Sequence, residues 1–368
     1  MSENSWQYKD YGEYFENLEK QLNKKETTNE KVVGKPKSTQ KRLKGGVFRL
    51  RKSVVAIGLV VLLAIGGFVV SNAFGGAQEP SYQDTTSSSA KNDQTKKTVK
   101  IEYSVDSKTI AIPSTNDAQS AIIIDKTTNK IVAERNAHKK AFPASTTKIM
   151  TLIVAAEHLK DMDDTFTMTL AITDPLFVAE ASVAGFLNGE KVSVEDLFYG
   201  TILPSGADAA MGLAIKTAGS EEEFVKLMNK KVKELGLKNT HFTNVTGLHD
   251  VNNYSTAYDM AVMLDAAMQD EFCRKVLSTY QHTTRKTPQN PDGILLSNTI
   301  FEYMYGTEPE TATILGGKTG YVNEAGYCIA SFGKCNENQN EYIVVTLGNS
   351  SRWPAIHGQI DLYKQFEK

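Results

Sequence analysis

An uncharged run of eighteen residues, 53–70, is the feature that most constrains what this chain can fold into. The run is rich in valine, leucine and isoleucine and, with its neighbours, is long enough to cross the ~30 Å hydrocarbon layer of a bilayer. The stretch before it, residues 31–52, carries nine lysine or arginine residues and no aspartate or glutamate. Because basic flanks stay on the cytoplasmic side, the pattern predicts one transmembrane helix with everything after it outside the cytoplasm.

The composition around this run predicts four segments: a polar and then basic cytoplasmic tail (1–52), a signal anchor (53–74), a flexible linker rich in serine, threonine and lysine (75–117), and a globular domain (118–368). Ser71-Asn72-Ala73 resembles a cleavage site, so a cleaved signal peptide is the alternative. The apolar run is longer than a usual signal-peptide core, which favours an uncleaved anchor. We therefore expect a single-pass protein of the cell membrane with an extracytoplasmic domain.

Charge and cysteine usage exclude several functions. The net charge of −2 provides no basic surface for a polyanion, so we expect no nucleic-acid partner. The six histidines form no zinc-binding pattern, and we expect neither a metal nor another cofactor. The three cysteines lack metal-ligand spacing, and an odd count leaves at least one unpaired. Cys328, in an apolar run, is expected to be a buried thiol, and a Cys328–Cys335 bridge is the alternative.

The order of the predicted elements indicates the fold class. Strand-like runs stand at both ends of the domain and helical patterns fill its middle, which is typical of an α+β domain with one antiparallel sheet flanked by helices. The predicted strands are 121–125, 130–134, 311–315, 326–332 and 342–347. The predicted helices include 145–156, 207–218, 224–235, 256–268 and 355–366, with another beginning near 194.

Ser145 and Lys148 are the first candidates for chemistry. They stand three residues apart at the start of the apolar, helix-like run 149–156, and positions i and i+3 share one face of a helix. Burial and the positive end of the helix dipole both disfavour an ammonium, which leaves an amine able to take the proton of the serine. Alone the tetrapeptide is weak, because an N-cap serine followed by a solvated lysine has the same pattern.

Two further motifs follow in order: Ser205-Gly206 after a Leu-Pro pair, and Gly316-Gly317-Lys318-Thr319-Gly320 after a strand-like run. Ser-x-x-Lys, a serine-containing turn and Lys-Thr-Gly are together the signature of penicillin-recognising serine enzymes. The domain resembles the serine-type D-alanyl-D-alanine carboxypeptidases, the low-molecular-mass penicillin-binding proteins. The segments that carry the resemblance are 143–151, 203–210, 253–260 and 317–321, with 244–247 and 325–328 beside them.

The resemblance implies the penicillin-binding-protein/serine β-lactamase-like transpeptidase fold and a division of catalytic roles. Ser145 would attack the carbonyl between the two terminal D-alanines of a peptidoglycan stem peptide and form an acyl-enzyme, and Lys148 would accept its proton. Ser205 would relay that proton to the leaving amine. The backbone N–H groups of Ser145 and Tyr321 would form the oxyanion hole. Water would then hydrolyse the acyl-enzyme, whereas β-lactam antibiotics would leave Ser145 trapped.

The resemblance also implies the substrate-binding residues. Lys318 and Thr319 would hold the C-terminal carboxylate of the substrate. Gly320 would let the substrate lie along the strand as an added strand, because a side chain there would block it. Anchoring would fall to the N-terminal span, since the β-rich domain and amphipathic anchor that follow the catalytic domain in many relatives have no counterpart before Lys368.

One departure from the family pattern leaves alternatives open. The middle motif usually reads Ser-x-Asn, but Ala207 stands where the asparagine belongs. Losing that amide removes a hydrogen bond of about 1 kcal/mol, so activity is expected to survive but to be slower or differently selective. A peptidoglycan-binding scaffold with the same fold is one alternative, and a D-alanyl transpeptidase or esterase is another. A β-lactamase is disfavoured because no glutamate stands in a lactamase-type context.

Overall fold

The domain is built from strands at its two ends and helices between them, as seen in a computed structural model that describes residues 101–307 and 309–364. The strands are β1 (Ile110–Ala111), β2 (Ser120–Asp125), β3 (Lys130–Arg135), β4 (Thr165–Thr167), β5 (Lys191–Ser193), β6 (Gln281–Thr283), β7 (Leu295–Ser297), β8 (Ala312–Val322), β9 (Gly326–Cys335) and β10 (Glu341–Asn349). The helices are α1 (Lys148–His158), α2 (Leu170–Val178), α3 (Val194–Ile202), α4 (Ala207–Ala218), α5 (Glu221–Glu234), α6 (Ala257–Gln269), α7 (Glu271–Ser278), α8 (Thr299–Met304) and α9 (Arg352–Lys364), with a short 3-10 helix, Ala144–Thr147, before α1.

A six-stranded sheet in the order β1-β3-β2-β10-β9-β8 forms the centre of the fold. Its pairings are antiparallel except for the short β1, which runs parallel to β3. β10 pairs with both β2 and β9, so it joins the two ends of the domain. The predicted α+β class and the predicted β2–β3 hairpin are confirmed.

Both faces of the sheet are covered, as the burial of strand β2 shows. Ile122 and Ile124 point into the core formed with α1 and α6, while Ile123 points into a second core that contains Tyr363 of α9. All three isoleucines are fully buried. A strand buried on both sides has no need of alternating polar residues, which is why β2 is continuously apolar.

The helical layer depends on small residues where α3 and α4 cross. A Cβ built on Gly200 would lie 2.9 Å from the Cβ of Ala209, so the two helices approach too closely for a larger side chain. The small-residue composition of 207–218 therefore serves close packing. This layer places the turn between α3 and α4 beside the edge of the sheet.

Two elements differ from the expectations drawn from the sequence. Ser145 lies in the 3-10 helix and α1 begins only at Lys148, whereas the pattern predicted one continuous helix. The Lys-Thr-Gly motif lies inside β8 rather than after a strand, because pairing with β9 extends the strand to Val322. Glycine and lysine have low strand propensity, and tertiary pairing overrides it.

The segment expected to end the linker packs on the domain. Tyr103 is buried and its hydroxyl donates to Asp265 of α6. Ile112 is buried against the second core, and β1 pairs with β3. The polar composition of residues 101–117 hides these few apolar anchors, which is why the sequence placed the start of the domain at 118. The predicted anchor, the predicted cytoplasmic tail and the first part of the predicted linker lie outside the described residues.

The described residues also bear on the cysteines and on membrane-spanning helices. Cys273, Cys328 and Cys335 are free and buried, so the alternative of a Cys328–Cys335 bridge is wrong. Among residues 101–307 and 309–364, the helices are too short or too polar to cross a bilayer.

Replacing Tyr103 by alanine tests whether residues 101–112 belong to the folded domain. We expect the free energy of unfolding to fall by about 3 kcal/mol, because a buried aromatic ring and its hydrogen bond are lost. Denaturant-induced unfolding measures the change. Val105→Ala, two residues further along and 60% exposed, is the matched control and should change stability little. Equal stability of the Tyr103→Ala variant and the wild type would contradict this placement.

Candidate active site

Ser145 and Lys148 meet at the junction of the 3-10 helix and α1. The Nζ atom of Lys148 lies 3.0 Å from the Oγ atom of Ser145, which is within hydrogen-bond distance. The same Nζ atom donates to the backbone carbonyl of Thr246 over 2.8 Å. The amine is therefore held between the Thr246 carbonyl and the Ser145 hydroxyl, which itself donates to the same carbonyl over 3.5 Å.

The turn 244–247 fixes the carbonyl that holds Lys148. The side-chain oxygen of Asn244 accepts from the backbone N–H of Gly247 over 2.7 Å and from that of Thr246 over 3.2 Å. Gly247 has a φ of +82°, and a Cβ there would lie 1.9 Å from the carbonyl oxygen of Ala144. Only glycine combines this conformation with such close approach. The turn thus locks onto the 3-10 helix that carries Ser145.

Burial sets the protonation of Lys148. Its side chain is 2% exposed, and this burial lowers the pKa of Lys148 from 10.5 to about 7, against the opposing attraction of Asp208. Desolvation disfavours the ammonium because an apolar environment replaces its hydration shell. A sizeable fraction of the molecules then carries a neutral amine at neutral pH, in contact with the serine hydroxyl.

Asp208 organises the wall of the site beside Ala207. The carboxylate is buried, and it accepts from the backbone N–H groups of Ala184 over 2.7 Å and of Gly185 over 3.0 Å. The backbone N–H of Ala207 donates to the carbonyl of Ser182 over 2.7 Å. Together these bonds attach the loop 182–186 to the start of α4.

Ser205 occupies the turn between α3 and α4 in a strained backbone conformation. Its φ is +64°, which is uncommon for a residue other than glycine. The residue is only 6% exposed and lines the same cleft as Ser145 and Lys148. Within the described part of the chain its hydroxyl has no hydrogen-bond partner. Strain of this kind is often found at functional sites, where the surrounding structure holds a side chain in place.

The residues of the Lys-Thr-Gly motif on β8 take different positions relative to the cleft. Thr319 lines the cleft, and its hydroxyl pairs with that of Thr299 at 2.7 Å. Lys318 is fully buried and donates to the carbonyl of Thr319 over 2.8 Å, so it lies behind the cleft lining. Burial and the neighbouring Lys148 lower the pKa of Lys318 well below 10.5.

Gly320 makes room for the reactive serine. A Cβ at this position would lie 2.7 Å from the backbone nitrogen of Ser145 and 3.0 Å from that of Thr146. The glycine therefore lets β8 approach the 3-10 helix, a reason that was not foreseen from the sequence. The Ser145 N–H belongs to the start of that helix, where backbone donors have no intrahelical acceptor. Tyr321 follows on β8, and its ring lies 4.3 Å from that of Tyr327.

A cleft of about 620 Å³ contains these groups. Its lining includes Ser145, Lys148 and Ser205, together with residues 179–182 and 319–324. β8 is the edge strand of the sheet on this side. The cleft therefore offers an extended ligand a strand edge beside an activated hydroxyl.

Comparison with known proteins identifies the family that has this arrangement. The family model described as D-alanyl-D-alanine carboxypeptidase matches residues 106–351. The chain belongs to this family. D-alanyl-D-alanine carboxypeptidase DacF of Bacillus subtilis is 36% identical over 242 residues, which are 64% of this chain and 58% of the relative. DacA of Escherichia coli is 35% identical over 244 residues, 63% of this chain and 56% of the relative.

Solved structures agree with the family in fold. The DD-transpeptidase of Streptomyces K15 is similar at a TM-score of 0.60 with 28% identity, covering 68% of this chain and 97% of that one. Penicillin-binding protein 5 of Haemophilus influenzae has a TM-score of 0.61 with 29% identity, covering 69% of this chain and 72% of that one. The chain spans less than two thirds of the length of the carboxypeptidases DacF and DacA.

The structure of this family member brings together most of the residues singled out from the sequence. Ser145, Lys148, Ser205, Thr319, Gly320 and Tyr321 all line the cleft, whereas Lys318 lies beneath it. Sequence reasoning gave no role to the Thr246 carbonyl or to Thr299. A carbonyl is present in every residue and leaves no signal in the sequence. The Asn-x-x-Gly pattern of 244–247 was the available sign that a tight turn lies there.

Replacing Gly247 by alanine should separate the positioning of Ser145 from general stability. Gly219→Ala is the matched control, because Gly219 also has a φ of +82° but a Cβ there would meet nothing within 4 Å. Both variants should lose about 1 kcal/mol of stability through the left-handed conformation, and Gly247→Ala should lose more because its Cβ collides with the Ala144 carbonyl. Only Gly247→Ala should also slow acylation of Ser145 by a fluorescent penicillin, by on the order of 100-fold, because the 3-10 helix must move. Equal acylation rates in the two variants would refute this.

Proposed function

We propose that this chain is a serine D-alanyl-D-alanine carboxypeptidase that removes the terminal D-alanine from peptidoglycan stem peptides. The observation that carries the proposal is the 3.0 Å contact between the Ser145 hydroxyl and the buried amine of Lys148 in the cleft of a family member. A weak nucleophile becomes reactive when an adjacent base can take its proton, and a lysine with a pKa of about 7 is such a base.

The geometry supports a sequence of proton transfers. The neutral Lys148 amine donates one N–H to the Thr246 carbonyl, which leaves its lone pair available to the Ser145 hydroxyl. As that proton moves to Nζ, Oγ forms a bond to the carbonyl carbon between the two D-alanines. The C–N bond then breaks, and the proton passes to the leaving amine; Ser205, which lines the same cleft, is the proposed relay. Water then attacks the acyl-enzyme. The same base takes a proton from this water and returns a proton to the Ser145 oxygen as the acyl group leaves.

The same cleft supports binding of the substrate carboxylate at Thr319. Its hydroxyl lies at the cleft surface, and Thr299 orients it. Lys318 is buried behind, with a lowered pKa. A carboxylate arriving at Thr319 would favour the ammonium form of Lys318, because an opposite charge stabilises it. The N–H groups of Ser145 and Tyr321 are the proposed oxyanion hole.

We also propose that residues 53–74 anchor this enzyme in the cell membrane, with the domain on the outer side. The support is the uncharged run 53–70 and the nine basic residues in 31–52. Peptidoglycan is extracytoplasmic, so this location would bring the cleft to its substrate. The other proposed ligands are β-lactam antibiotics, and no nucleic acid is expected.

D-alanine release tests the proposed function directly. We expect the protein to release D-alanine from a peptide ending in D-Ala-D-Ala, to bind fluorescent penicillin covalently, and to lose both activities in Ser145→Ala. Absence of both release and labelling in the folded wild type would leave the scaffold alternative, which Ala207 in place of asparagine favours.

Transfer to an amine acceptor is the second candidate, because a similar structure is that of a DD-transpeptidase. Adding D-amino acids or glycine to the reaction separates the two. Hydrolysis gives the shortened peptide alone, whereas transfer gives a new amide in proportion to the acceptor concentration. Mass spectrometry distinguishes these products.

The rate of acylation should follow the titration of Lys148. Its pKa in the folded protein is lowered to about 7, so the reactive neutral amine is scarce below that pH and predominant above it. We therefore expect the rate constant for acylation by penicillin to rise about tenfold per pH unit below 7 and to level off above it. Stopped-flow fluorescence between pH 5 and 9 measures this. A flat profile, or a midpoint near 10, would contradict the role of Lys148 as base.

A further inference from the structure

One buried carboxylate fixes the segment 182–186, which has no helix or strand of its own. Asp208, in the first turn of α4, is 1% exposed. Its oxygens accept from three consecutive backbone N–H groups: those of Ala184 over 2.7 Å, Gly185 over 3.0 Å and Phe186 over 3.2 Å. An ionised carboxylate is purely an acceptor, so it suits three donors that converge on it.

A second buried carboxylate holds the chain just beyond this segment. Glu190, immediately before β5, is 1% exposed and accepts from the backbone N–H of Leu187 over 2.8 Å. It also accepts from the side chains of Thr287 over 2.7 Å and Asn290 over 2.9 Å, in the connection between β6 and β7. The two carboxylates therefore share one structural task, which is to hold residues 182–187 in place.

Asp208 differs from Glu190 in its relation to the base. Ala207, the residue before Asp208, lines the cleft together with Lys148, and α4 packs against α1. Lys148 and Asp208 are both almost fully buried, and opposite charges interact strongly where water is excluded. Burial lowers the pKa of Lys148 to about 7, and the charge of Asp208 acts in the opposite direction.

The other charged or titratable groups around the amine are Lys318 on β8, Glu221 at the start of α5, and Glu180, His249 and Glu324 in the lining of the cleft. Lys318 is buried but positive. Glu221 is half-buried, and its carboxylate accepts from the backbone N–H of Val245 over 3.1 Å. The three side chains in the cleft lining are exposed, where solvent and salt screen them. Among these groups and Asp208, only Asp208 is both negative and buried.

We propose that Asp208 is a positioning residue for the reaction: it holds the segment 182–186 and stabilises the positive charge that forms on Lys148 as the proton of Ser145 arrives. The inference rests on the proposed function, because it concerns the base of that reaction. The proton stays on Nζ until it passes to the leaving amine, so Asp208 itself takes up no proton. A fixed negative charge beside an amine that becomes positive in the transition state lowers the barrier.

Asp208→Asn and Glu190→Gln test this role as a matched pair. Each replaces a buried carboxylate by an amide of the same shape, and each weakens the hold on residues 182–187. Only Asp208→Asn should move the midpoint of the rate–pH profile for acylation by fluorescent penicillin, and the move should be to lower pH, because the ammonium loses a stabilising charge. At pH 6 its rate, as a fraction of its own plateau, should be about twofold to fivefold larger than in the wild type. The plateau itself should fall by about tenfold, because the base is weaker.

The midpoint separates this role from a merely structural one. Glu190→Gln should keep the wild-type midpoint, and so should Asp208→Glu, which retains the charge. An unchanged midpoint in Asp208→Asn, or the same displacement in Glu190→Gln or Asp208→Glu, would overturn the inference and leave the proposed function standing, since the wild type would still be acylated. A folded wild type that is not acylated would overturn both.

Hydrogen exchange of the wild type tests the hold on the segment without any variant. The amides of 184–186 should exchange at least about tenfold more slowly than those of 337–338, in the exposed turn between β9 and β10, because each donates to the buried carboxylate of Asp208. Exchange at equal rates in the two segments would overturn the positioning role of Asp208.

Discussion

The burial of one amine is the constraint on which this structure depends. Lys148 is enclosed between the Ser145 hydroxyl and the Thr246 carbonyl, and removing an ammonium from water is costly. The fold meets this cost in two ways, by lowering the pKa of the amine and by providing a fixed acceptor for one of its N–H groups. The turn 244–247, the glycines that touch the 3-10 helix and the close approach of β8 all serve to hold that enclosure in place.

The two buried lysines of the site constrain each other. Lys318 lies close enough to Lys148 for each additional proton to be disfavoured by the other, which lowers the pKa of Lys318 beyond the effect of burial alone. A substrate carboxylate at Thr319, as proposed above, would oppose this repulsion. Under the proposed function, substrate binding and the protonation of Lys148 and Lys318 are therefore linked.

The sequence predicted the α+β class, the β2–β3 hairpin, the bounds of α4 and the contact of Ser145 with Lys148. Each follows from local periodicity or from spacing. It did not predict that β8 extends through Gly316 to Val322, because the pairing that imposes this strand comes from β9 and not from local propensity. It did not predict that the side chain of Lys318 is buried behind Thr319, since the direction in which a strand residue points depends on register; the role of Lys318 in substrate binding stays a prediction. The sequence could not indicate contacts made through backbone atoms, such as the Thr246 carbonyl, because every residue has these atoms.

The pairing of β2 with β10 has a consequence for how the domain is made. The backbone N–H of Glu341 at the start of β10 lies 3.4 Å from the side-chain oxygen of Thr127, 214 positions earlier in the chain. The central sheet is therefore completed only after nearly the whole domain has been synthesised, and such distant pairings make folding slow. Until β10 is in place, β2 and β9 each have an unpaired edge, and open edges associate with other chains. The unfinished protein is therefore exposed to aggregation until β10 pairs with β2 and β9 and closes both edges.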